Sequence, residues 1–259
     1  MQPVKVPSQT LSVHSLSVQL SDNPAQLAKT AAAQAATYLQ EAISRQGRAA
    51  VLLATGNSQI EFLQALIGLD GLDWSQITCF HLDEFLGIEG EHPASFRRYL
   101  HDRVASLVQP GAFHYICGDT LQPLDECDRY TQLLQAQPID LALLGLGSNG
   151  HIAFNEPSVA DFHDPKTVKL VKLENSTRLA QMSSHHFPDL AAVPLYAFTL
   201  TIPAITAAKK IFCLAPGKSK AEPVRAMLTG AVRTSFPASL LRTLPQTTLF
   251  LDKDAASLI

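Results

Sequence analysis

The sequence predicts an α/β fold in which one open, mostly parallel sheet carries helices on both faces. Short apolar runs alternate with longer amphipathic segments along the chain, which is the pattern of a parallel sheet built from strand–helix units. The apolar runs are mostly continuous rather than alternating, as expected of strands buried on both faces. No repeat, low-complexity tract or Gly/Pro/Ser-rich linker divides the 259 residues, so we expect a single domain over 1–259.

Local signals place the helices and strands. Asn23 and Pro24 are typical of the cap and first turn of a long helix, which Gly47 is expected to end. Further helices are predicted at 59–68, 95–107, 123–136, 176–184 and 219–229. Strands of the sheet are predicted at 50–54, 77–82, 139–146, 168–173, 210–215 and 247–251.

Composition and charge exclude several classes of protein. A formal net charge of -3 and a pI near 6.3 give no overall field that attracts nucleic acid or an anionic membrane, so an anion site must be local. The N-terminal segment lacks the basic start and apolar run of a signal peptide, and no stretch approaches the roughly 18 apolar residues of a membrane span. The cysteines form no CxxC pair and have no His at zinc-ligand spacing. We therefore expect a cytoplasmic protein without a bound metal.

Small, polar or ionisable residues follow four of the predicted strands. In open parallel sheets, ligands bind beyond the carboxyl ends of the strands. Because these ends lie at one edge of the sheet, the four segments together predict a site there. The segments are Thr55–Ser58, Asp83 with Glu84, Gly147–His151 and Pro216–Lys220.

The segment Thr55–Ser58 lies between a strand and an amphipathic helix. Its small residues allow backbone N–H groups to approach an anion, and the helix N-terminus contributes the positive end of its dipole. The segment is neither a GxxxxGK[ST] loop nor a GxGxxG fingerprint. The alternative is a plain turn in which Thr55, Asn57 or Ser58 caps the helix, and this stretch alone does not separate the two.

Asp83 and Glu84 come directly after a buried strand. Adjacent carboxylates at a strand end act as metal ligands, as a general base or as a helix cap. No other carboxylate cluster lies nearby in the sequence, which makes a metal the weakest of the three. The pattern favours a base only slightly over a cap.

The stretch from Gly145 to Glu156 is the richest in glycine and polar residues. An imidazole beside a carboxylate is a proton-transfer pair, so Glu156 is predicted to orient His151, the alternative being a structural histidine. A nucleophilic serine is not predicted, because GxSxG is absent. Farther along, Lys218 and Lys220 precede a helix, and Lys220 is the better candidate for a phosphate contact, a solvated surface charge being the alternative.

Together these segments resemble the glucosamine-6-phosphate deaminase family, from about residue 25 to the C-terminus. The resemblance is carried by ATGNS, FHLDEFLG with HPASF, GLGSNGHIAFNEP, STRLA, GKSKAE and LFLDKDAASL. The related 6-phosphogluconolactonases share the fold but typically carry Asp-Glu-Arg in place of Asp83-Glu84-Phe85, and an Asp-Gly-His that IAFNEP does not follow. A lactonase is therefore the lesser alternative.

The resemblance implies a Rossmann-like sugar-phosphate isomerase fold and a cofactor-free conversion of glucosamine 6-phosphate to fructose 6-phosphate and ammonia. It implies that His151 opens the pyranose ring, that Glu156 positions His151, and that Asp83 moves the proton between C2 and C1. The catalytic set implied is Asp83, Asn149, His151 and Glu156. The phosphate-binding set implied is Thr55, Gly56, Asn57, Ser58 and Lys220.

Two positions depart from the family's pattern. Many members carry Asp just before the Gly-His pair, where this chain has Asn149, which implies a differently tuned His151. The family usually places a phosphate-binding Arg before a Phe-Pro pair, whereas LAQMSSHHFPDL contains none. His185 lies nearest and is included as a phosphate ligand, although imidazole is weaker than guanidinium and pH-dependent. Arg178 has its own family counterpart and is expected to be structural.

Three alternatives to a glucosamine-6-phosphate deaminase stay open. They are an isomerase acting on galactosamine 6-phosphate, a 6-phosphogluconolactonase-like hydrolase, and a sugar-phosphate sensor without chemistry. The missing arginine favours the sensor, whereas the retained acid–base residues oppose it. The expected partner is a small sugar phosphate, with neither nucleic acid nor membrane, and the sequence does not distinguish a monomer from a homo-oligomer.

Overall fold

A computed structural model describes residues 9–13, 15–182 and 186–259 of the chain. Its strands are, in chain order, β1 (Gln9–Val13), β2 (Leu16–Ser21), β3 (Ala49–Leu53), β4 (Ile77–His81), β5 (Asp83–Phe85), β6 (Ala112–His114), β7 (Leu141–Gly145), β8 (Val168–Lys172), β9 (Tyr196–Leu200), β10 (Lys210–Ala215) and β11 (Thr247–Asp252). Its α-helices are α1 (Pro24–Gln46), α2 (Asn57–Ile67), α3 (Phe96–Leu100), α4 (Ser106–Val108), α5 (Pro123–Gln135), α6 (Asn175–Met182), α7 (Ile202–Thr206) and α8 (Ala221–Thr229). Turns of 3-10 helix lie at Trp74–Gln76, Lys218–Lys220 and Pro237–Thr243, and π-helical residues His101–Ala105 join α3 to α4.

Eight of the strands form one open sheet in the order β1-β2-β11-β10-β7-β3-β4-β6. Its neighbouring strands are parallel except for the antiparallel edge pair β1 and β2. From β3 the chain adds β4 and β6 on one side, whereas β7, β10 and β11 extend the sheet on the other side. The strand order therefore reverses between β3 and β7, which is where open α/β sheets bind ligands.

Apolar side chains cover both faces of this sheet, as the continuous apolar strands predict. On one face α1 and α2 pack with Trp74 against side chains such as Leu53 and Phe212. On the other face Tyr130 of α5 and Met227 of α8 pack against the alternate residues of the same strands. This arrangement confirms the predicted fold class. No helix among the described residues is long and apolar enough to cross a membrane.

Helix α1 begins and ends at the predicted residues. The side chain of Asn23 accepts a hydrogen bond from the N–H of Gln26 at 2.9 Å, and Pro24 occupies the first turn. Gly47 has a φ of 74° and donates to the carbonyl of Ile43 at 2.7 Å. A left-handed residue at this position favours glycine.

The segment predicted at 168–173 belongs to a second sheet rather than to the main one. It forms β8, the edge strand of an antiparallel sheet with the order β5-β9-β8. Val168 and Val171 are buried whereas Lys172, at the end of the strand, is exposed. Since residues 168 and 171 point to opposite faces of the strand, both faces are covered in part. Strands β1, β2, β5, β6 and β9 are additional to the prediction, and the three-residue β5 and β6 are too short to show a period.

The remaining predicted helices and strands agree with the structure to within a few residues, apart from the π-helical interruption after α3. Helix α2 begins at Asn57, two residues before the predicted start, and no described side chain caps it. The alternative in which Thr55, Asn57 or Ser58 caps this helix is therefore wrong. Its cap residue is Gly56, with a φ of 95°, so the first N–H groups of α2 remain open to a ligand.

We expect Asn23→Ala to lower the melting temperature by about 2–4 °C, because losing a side-chain cap costs about 1 kcal/mol. Asn23→Asp keeps the oxygen acceptor and serves as the matched control, with a melting temperature close to that of the wild type. Thermal unfolding followed by circular dichroism measures both variants. An equal loss in the two would contradict the capping role.

Candidate active site

The carboxyl ends of β3, β4, β7 and β10 bring most of the predicted residues to one edge of the sheet. The Nζ of Lys220, after β10, donates to the carbonyl of Leu146 at the end of β7, at 2.7 Å. The positive charge of Lys220 acts on His151, and Ser58 after β3 closely approaches Gly145 of β7. Three of the four predicted segments therefore meet around the end of β7.

Glu84 caps a helix, which is one of the three roles predicted for the acidic pair. Its carboxylate is fully buried and accepts hydrogen bonds from the hydroxyl of Ser95 and from the N–H groups of Phe85, Phe96 and Arg97, at 2.8–3.1 Å. Burial raises the pKa of Glu84, and these hydrogen bonds act in the opposite direction. A carboxylate so fully occupied holds α3 in place and has little capacity left for a substrate.

Asp83 has the opposite environment. Its residue is 7 % exposed, and its carboxylate has no hydrogen-bond partner among the described residues. Burial, and then the neighbouring Glu84 carboxylate, raise the pKa of Asp83 well above its ordinary value. An unpaired carboxylate of raised basicity is what a general base requires.

His81 fixes the backbone beneath this carboxylate, a role that was not among the sequence-based predictions. Its Nε2 accepts the N–H of Ile116 at 2.8 Å, so the ring proton is on Nδ1, which donates to the carbonyl of Asp83 at 2.9 Å. Burial lowers the pKa of His81 to about 3, so the ring is neutral. The available signal was a histidine at the end of an apolar strand, two residues before the acidic pair.

Asn149 determines the tautomer of His151. The Oδ1 of Asn149 lies 3.1 Å from the backbone nitrogen of His151 and 2.7 Å from its Nδ1. Since the backbone N–H can only donate, the contacted atom is the amide oxygen, and Nδ1 therefore carries the ring proton. Burial, and then the charge of Lys220, lower the pKa of His151 to about 4. At neutral pH the imidazole is therefore uncharged, with Nε2 available as an acceptor.

Glycine allows the loop to close around this ring. A Cβ on Gly147 would lie 2.4 Å from the imidazole of His151, so only glycine fits beneath it. Gly150 has a φ of 80° and donates to the carbonyl of Gly147 at 3.0 Å. A Cβ on Gly150 would also lie 2.7 Å from the ring of Phe236. The two glycines thus let the backbone pack directly against aromatic rings.

Glu156, which was predicted to orient His151, makes its hydrogen bonds to other residues in this structure. Glu156 is 1 % exposed and accepts hydrogen bonds from the N–H of Glu174 at 2.7 Å and from the hydroxyl of Thr177. The chain reverses direction between the two residues, which carries the carboxylate of Glu156 towards α6. The hydrogen-bond partner of the imidazole is Asn149.

The 55–58 loop (Thr55–Ser58) exposes backbone N–H groups at the start of α2. The carbonyl of Gly56 accepts from the N–H of Gln59 and from the hydroxyl of Tyr99, both at 3.0 Å. Because C=O and N–H point in opposite directions across a trans peptide, these bonds aim the N–H of Asn57 away from the helix. Burial raises the pKa of Tyr99 to about 12, and Arg103 lies 4.1 Å over its ring. Tyr99 belongs to no motif, so the sequence does not mark it as a site residue.

The other predicted cations differ in their availability. Burial lowers the pKa of Lys220, whereas Lys218 is exposed. Arg178 donates to the carbonyls of Leu190 at 2.5 Å and Val193 at 2.9 Å, so it is structural, as expected. His185 lies outside the described residues. Among the described residues, no group of three or more His, Cys, Asp or Glu side chains could hold a metal ion.

This arrangement combines groups for moving protons with an anion site. Asp83 and His151 are a carboxylate and a neutral imidazole, each with an unoccupied acceptor among the described residues. The 55–58 loop and Lys220 supply N–H donors and a positive charge, which is the chemistry of a helix N-terminal phosphate site. Such an edge suits a small anionic substrate that gains and loses protons.

Comparison with known proteins agrees with this chemistry. A family model described as glucosamine-6-phosphate isomerases/6-phosphogluconolactonase matches residues 22–250. A glucosamine-6-phosphate deaminase of Exiguobacterium sp. is 38% identical over 85% of this chain and 85% of its own length. One from Streptococcus pneumoniae serotype 4 is 36% identical over 80% of this chain and 86% of its own length.

Solved structures give the same picture. A monomeric glucosamine-6-phosphate deaminase matches with a TM-score of 0.86 and 34% identity, over 93% of this chain and 99% of that chain. A 6-phosphogluconolactonase from Thermotoga maritima shares the fold, with a TM-score of 0.73 and 19% identity, over 91% and 99% of the two chains. With most of its length matched by the family model and by relatives above 30% identity, the chain belongs to the glucosamine-6-phosphate isomerase/6-phosphogluconolactonase family.

Proposed function

We propose that this chain is a glucosamine-6-phosphate deaminase, which converts glucosamine 6-phosphate and water to fructose 6-phosphate and ammonia. The observation that carries the proposal is the buried, unpaired carboxylate of Asp83, since a base of raised pKa is what proton abstraction from carbon requires. Similar proteins that bear this name support it. We also propose that the reaction takes place in the cytoplasm and uses no cofactor.

The reaction begins with opening of the sugar ring by His151. Its Nε2 accepts the proton of the anomeric hydroxyl and returns it to the ring oxygen, so the C1–O5 bond breaks and an aldehyde forms. Asn149 holds the opposite nitrogen as N–H, which keeps Nε2 available as the acceptor. Glu156 acts on the loop that follows His151 through its bonds to Glu174 and Thr177, rather than on the ring itself.

The isomerisation is assigned to Asp83. Its carboxylate takes the proton from C2 while the ammonium group of the substrate gives one proton to the aldehyde oxygen, which gives an enolamine. Asp83 then returns the C2 proton to C1, which leaves a hydroxymethyl group at C1 and an iminium at C2. Water then adds at C2 and ammonia leaves, so the product is the ketose phosphate. The proton moves between adjacent carbons, and one well-placed carboxylate suffices for both transfers.

The phosphate is placed at the start of α2. The N–H groups that follow Gly56 have no side-chain cap among the described residues, and the helix dipole adds positive potential there. Thr55 and Ser58 add hydroxyl groups, and Lys220 adds a point charge. His185 stays a predicted phosphate ligand.

The first experiment measures ammonia and fructose 6-phosphate from purified protein and glucosamine 6-phosphate. Equal amounts of both products would establish the reaction. Galactosamine 6-phosphate and 6-phosphogluconolactone are tested in parallel, as the alternative substrates. Turnover of the lactone alone would contradict the proposal. No turnover of any of the three substrates would favour a sugar-phosphate sensor.

We expect Asp83→Asn to lower kcat by about 10²–10⁴, because the amide cannot accept the C2 proton. It should also raise the melting temperature at pH 8, since it removes a buried unpaired charge. Because the pKa of Asp83 is raised in the folded state, its destabilising effect is complete above that pKa and declines as the pH falls from there to the ordinary pKa of a carboxyl group. The gain in melting temperature should shrink over the same range. Activity assays and calorimetry across pH 5–8 measure both effects.

Glu84→Gln is the matched control for the adjacent carboxylate. Glu84 accepts hydrogen bonds around α3, so this change should lower the melting temperature while Asp83 stays in place. Full activity in Asp83→Asn, or a melting temperature with no pH-dependent difference from the wild type, would contradict the role of Asp83.

We expect Asn149→Asp to raise the pKa of His151 by about 1–3, because a carboxylate beside the ring favours the imidazolium. In the wild type that pKa lies at about 4. The pH below which kcat/KM falls should rise with it, since imidazolium cannot accept the anomeric proton. NMR titration of the imidazole measures the change directly. A His151 signal that titrates at the wild-type pH would contradict the contact with residue 149.

We expect Tyr99→Phe to raise the KM for glucosamine 6-phosphate by about three- to tenfold, with kcat within about twofold of the wild type. The variant removes only the hydroxyl that holds the carbonyl of Gly56. Tyr38→Phe, on α1 beside Lys210, is the matched control. A loss confined to kcat would show that Tyr99 does not act through substrate binding.

A further inference from the structure

A buried glutamine with no assigned role lies between the 55–58 loop and β7. Gln59 is 0 % exposed although it lies in the first turn of α2. Its Nε2 is 3.1 Å from the hydroxyl of Ser58 and 3.3 Å from the carbonyl oxygen of Leu144. Its Oε1 is buried without a hydrogen-bond partner among the described residues. Burying an amide oxygen without a hydrogen-bond partner costs folding free energy, so the presence of glutamine at this position calls for an explanation.

The contact with β7 determines how the amide is oriented. A carbonyl oxygen can only accept, so the atom of Gln59 beside Leu144 is the nitrogen. The other N–H of that nitrogen is then directed at Ser58, whose oxygen accepts it. A hydroxyl that accepts this bond retains one proton to donate, and that proton has no acceptor among the described residues. Gln59 therefore leaves Ser58 as a donor.

The position of Gln59 is set by the end of strand pairing. Strands β3 and β7 pair only as far as Leu52 and Ala142, although β7 continues to Gly145. Gln59 bonds the carbonyl of Leu144 beyond that point. A Cβ on Gly145 would lie 3.1 Å from the hydroxyl of Ser58, so a larger residue there would press on that hydroxyl. The amide thus connects the 55–58 loop to the strand that precedes His151.

We propose that Gln59 is a positioning residue that directs the hydroxyl proton of Ser58 at the phosphate of the substrate. The inference rests on the proposed function, in which the start of α2 holds the phosphate. A hydroxyl whose lone pair is already engaged donates to an anion without first reorienting. Gln59 contacts neither the phosphate nor the reacting carbons, so it acts on binding through Ser58.

The experiment compares Gln59→Met, Ser58→Ala and the double variant. The calorimetric Kd of inorganic phosphate and the KM for glucosamine 6-phosphate should rise about five- to tenfold in each single variant, with kcat within about twofold. If Gln59 acts through Ser58, the double variant should be no weaker than Ser58→Ala alone. Gln64→Met, on the exposed face of the same helix, is the matched control and should bind phosphate as the wild type does.

Additive effects in the double variant, or an unchanged phosphate Kd in Gln59→Met, would overturn the inference. If Gln59→Met fails to fold, Gly145→Ala displaces the Ser58 hydroxyl while leaving Gln59 intact. Gly145→Ala should weaken phosphate binding in the wild-type protein and should have no further effect when it is combined with Ser58→Ala. An equal loss of phosphate affinity in both proteins would overturn the inference. Phosphate binding needs no turnover, so a wild type that binds phosphate but releases no ammonia would contradict the proposed function alone.

Discussion

The site depends on the early end of pairing between β3 and β7. Past that point β3 no longer pairs with β7, and the buried backbone groups at the end of β7 need other partners. Gln59 supplies one to Leu144, and Lys220 supplies one to Leu146. Each bond satisfies a carbonyl and at the same time fixes the start of α2 or a cation at the edge where the strand order reverses. The same hydrogen bonds therefore satisfy the backbone of β7 and hold the site residues in place.

Burial then sets the protonation states of the side chains gathered there. Low exposure disfavours every charged form, so it raises the pKa of Asp83 and lowers the pKa of His151 and Lys220. The same burial acts on Glu84, but that carboxylate is surrounded by N–H and hydroxyl donors. Two adjacent carboxylates thus have different functions, because hydrogen bonds occupy one and leave the other free.

The sequence was sufficient for the features that depend on local pattern. Continuous apolar runs indicate a sheet covered on both faces, and Asn23 with Gly47 defines α1, because caps act within one turn. The strand-end residues could be grouped because parallel strands end at a common edge. The same reasoning placed β8 in the main sheet, since a strand pattern does not specify its partner.

Contacts that depend on tertiary packing could not be predicted from the sequence. Glu156 is near His151 along the chain, but a reversal between them sends its carboxylate to Thr177. Tyr99 contacts Gly56 although the two residues are 43 positions apart. The role of Gln59 depends on its hydrogen bond to β7, which the sequence does not indicate. None of these pairings leaves a periodic or spacing signal, because the distance that matters is across the fold.

The amide of Asn149 keeps the titration of His151 separate from the titration of Asp83. An amide oxygen fixes the Nδ1–H tautomer of His151 by geometry and adds no charge, so it gives the imidazolium no counter-ion. Lys220 further disfavours the imidazolium. The ring consequently stays a neutral acceptor throughout the range above its pKa of about 4. Titration of the site above that pKa then involves Asp83, whose pKa is raised by burial and by Glu84. A carboxylate at position 149 would couple the two titrations, whereas the amide keeps ring opening independent of the base that moves the C2 proton.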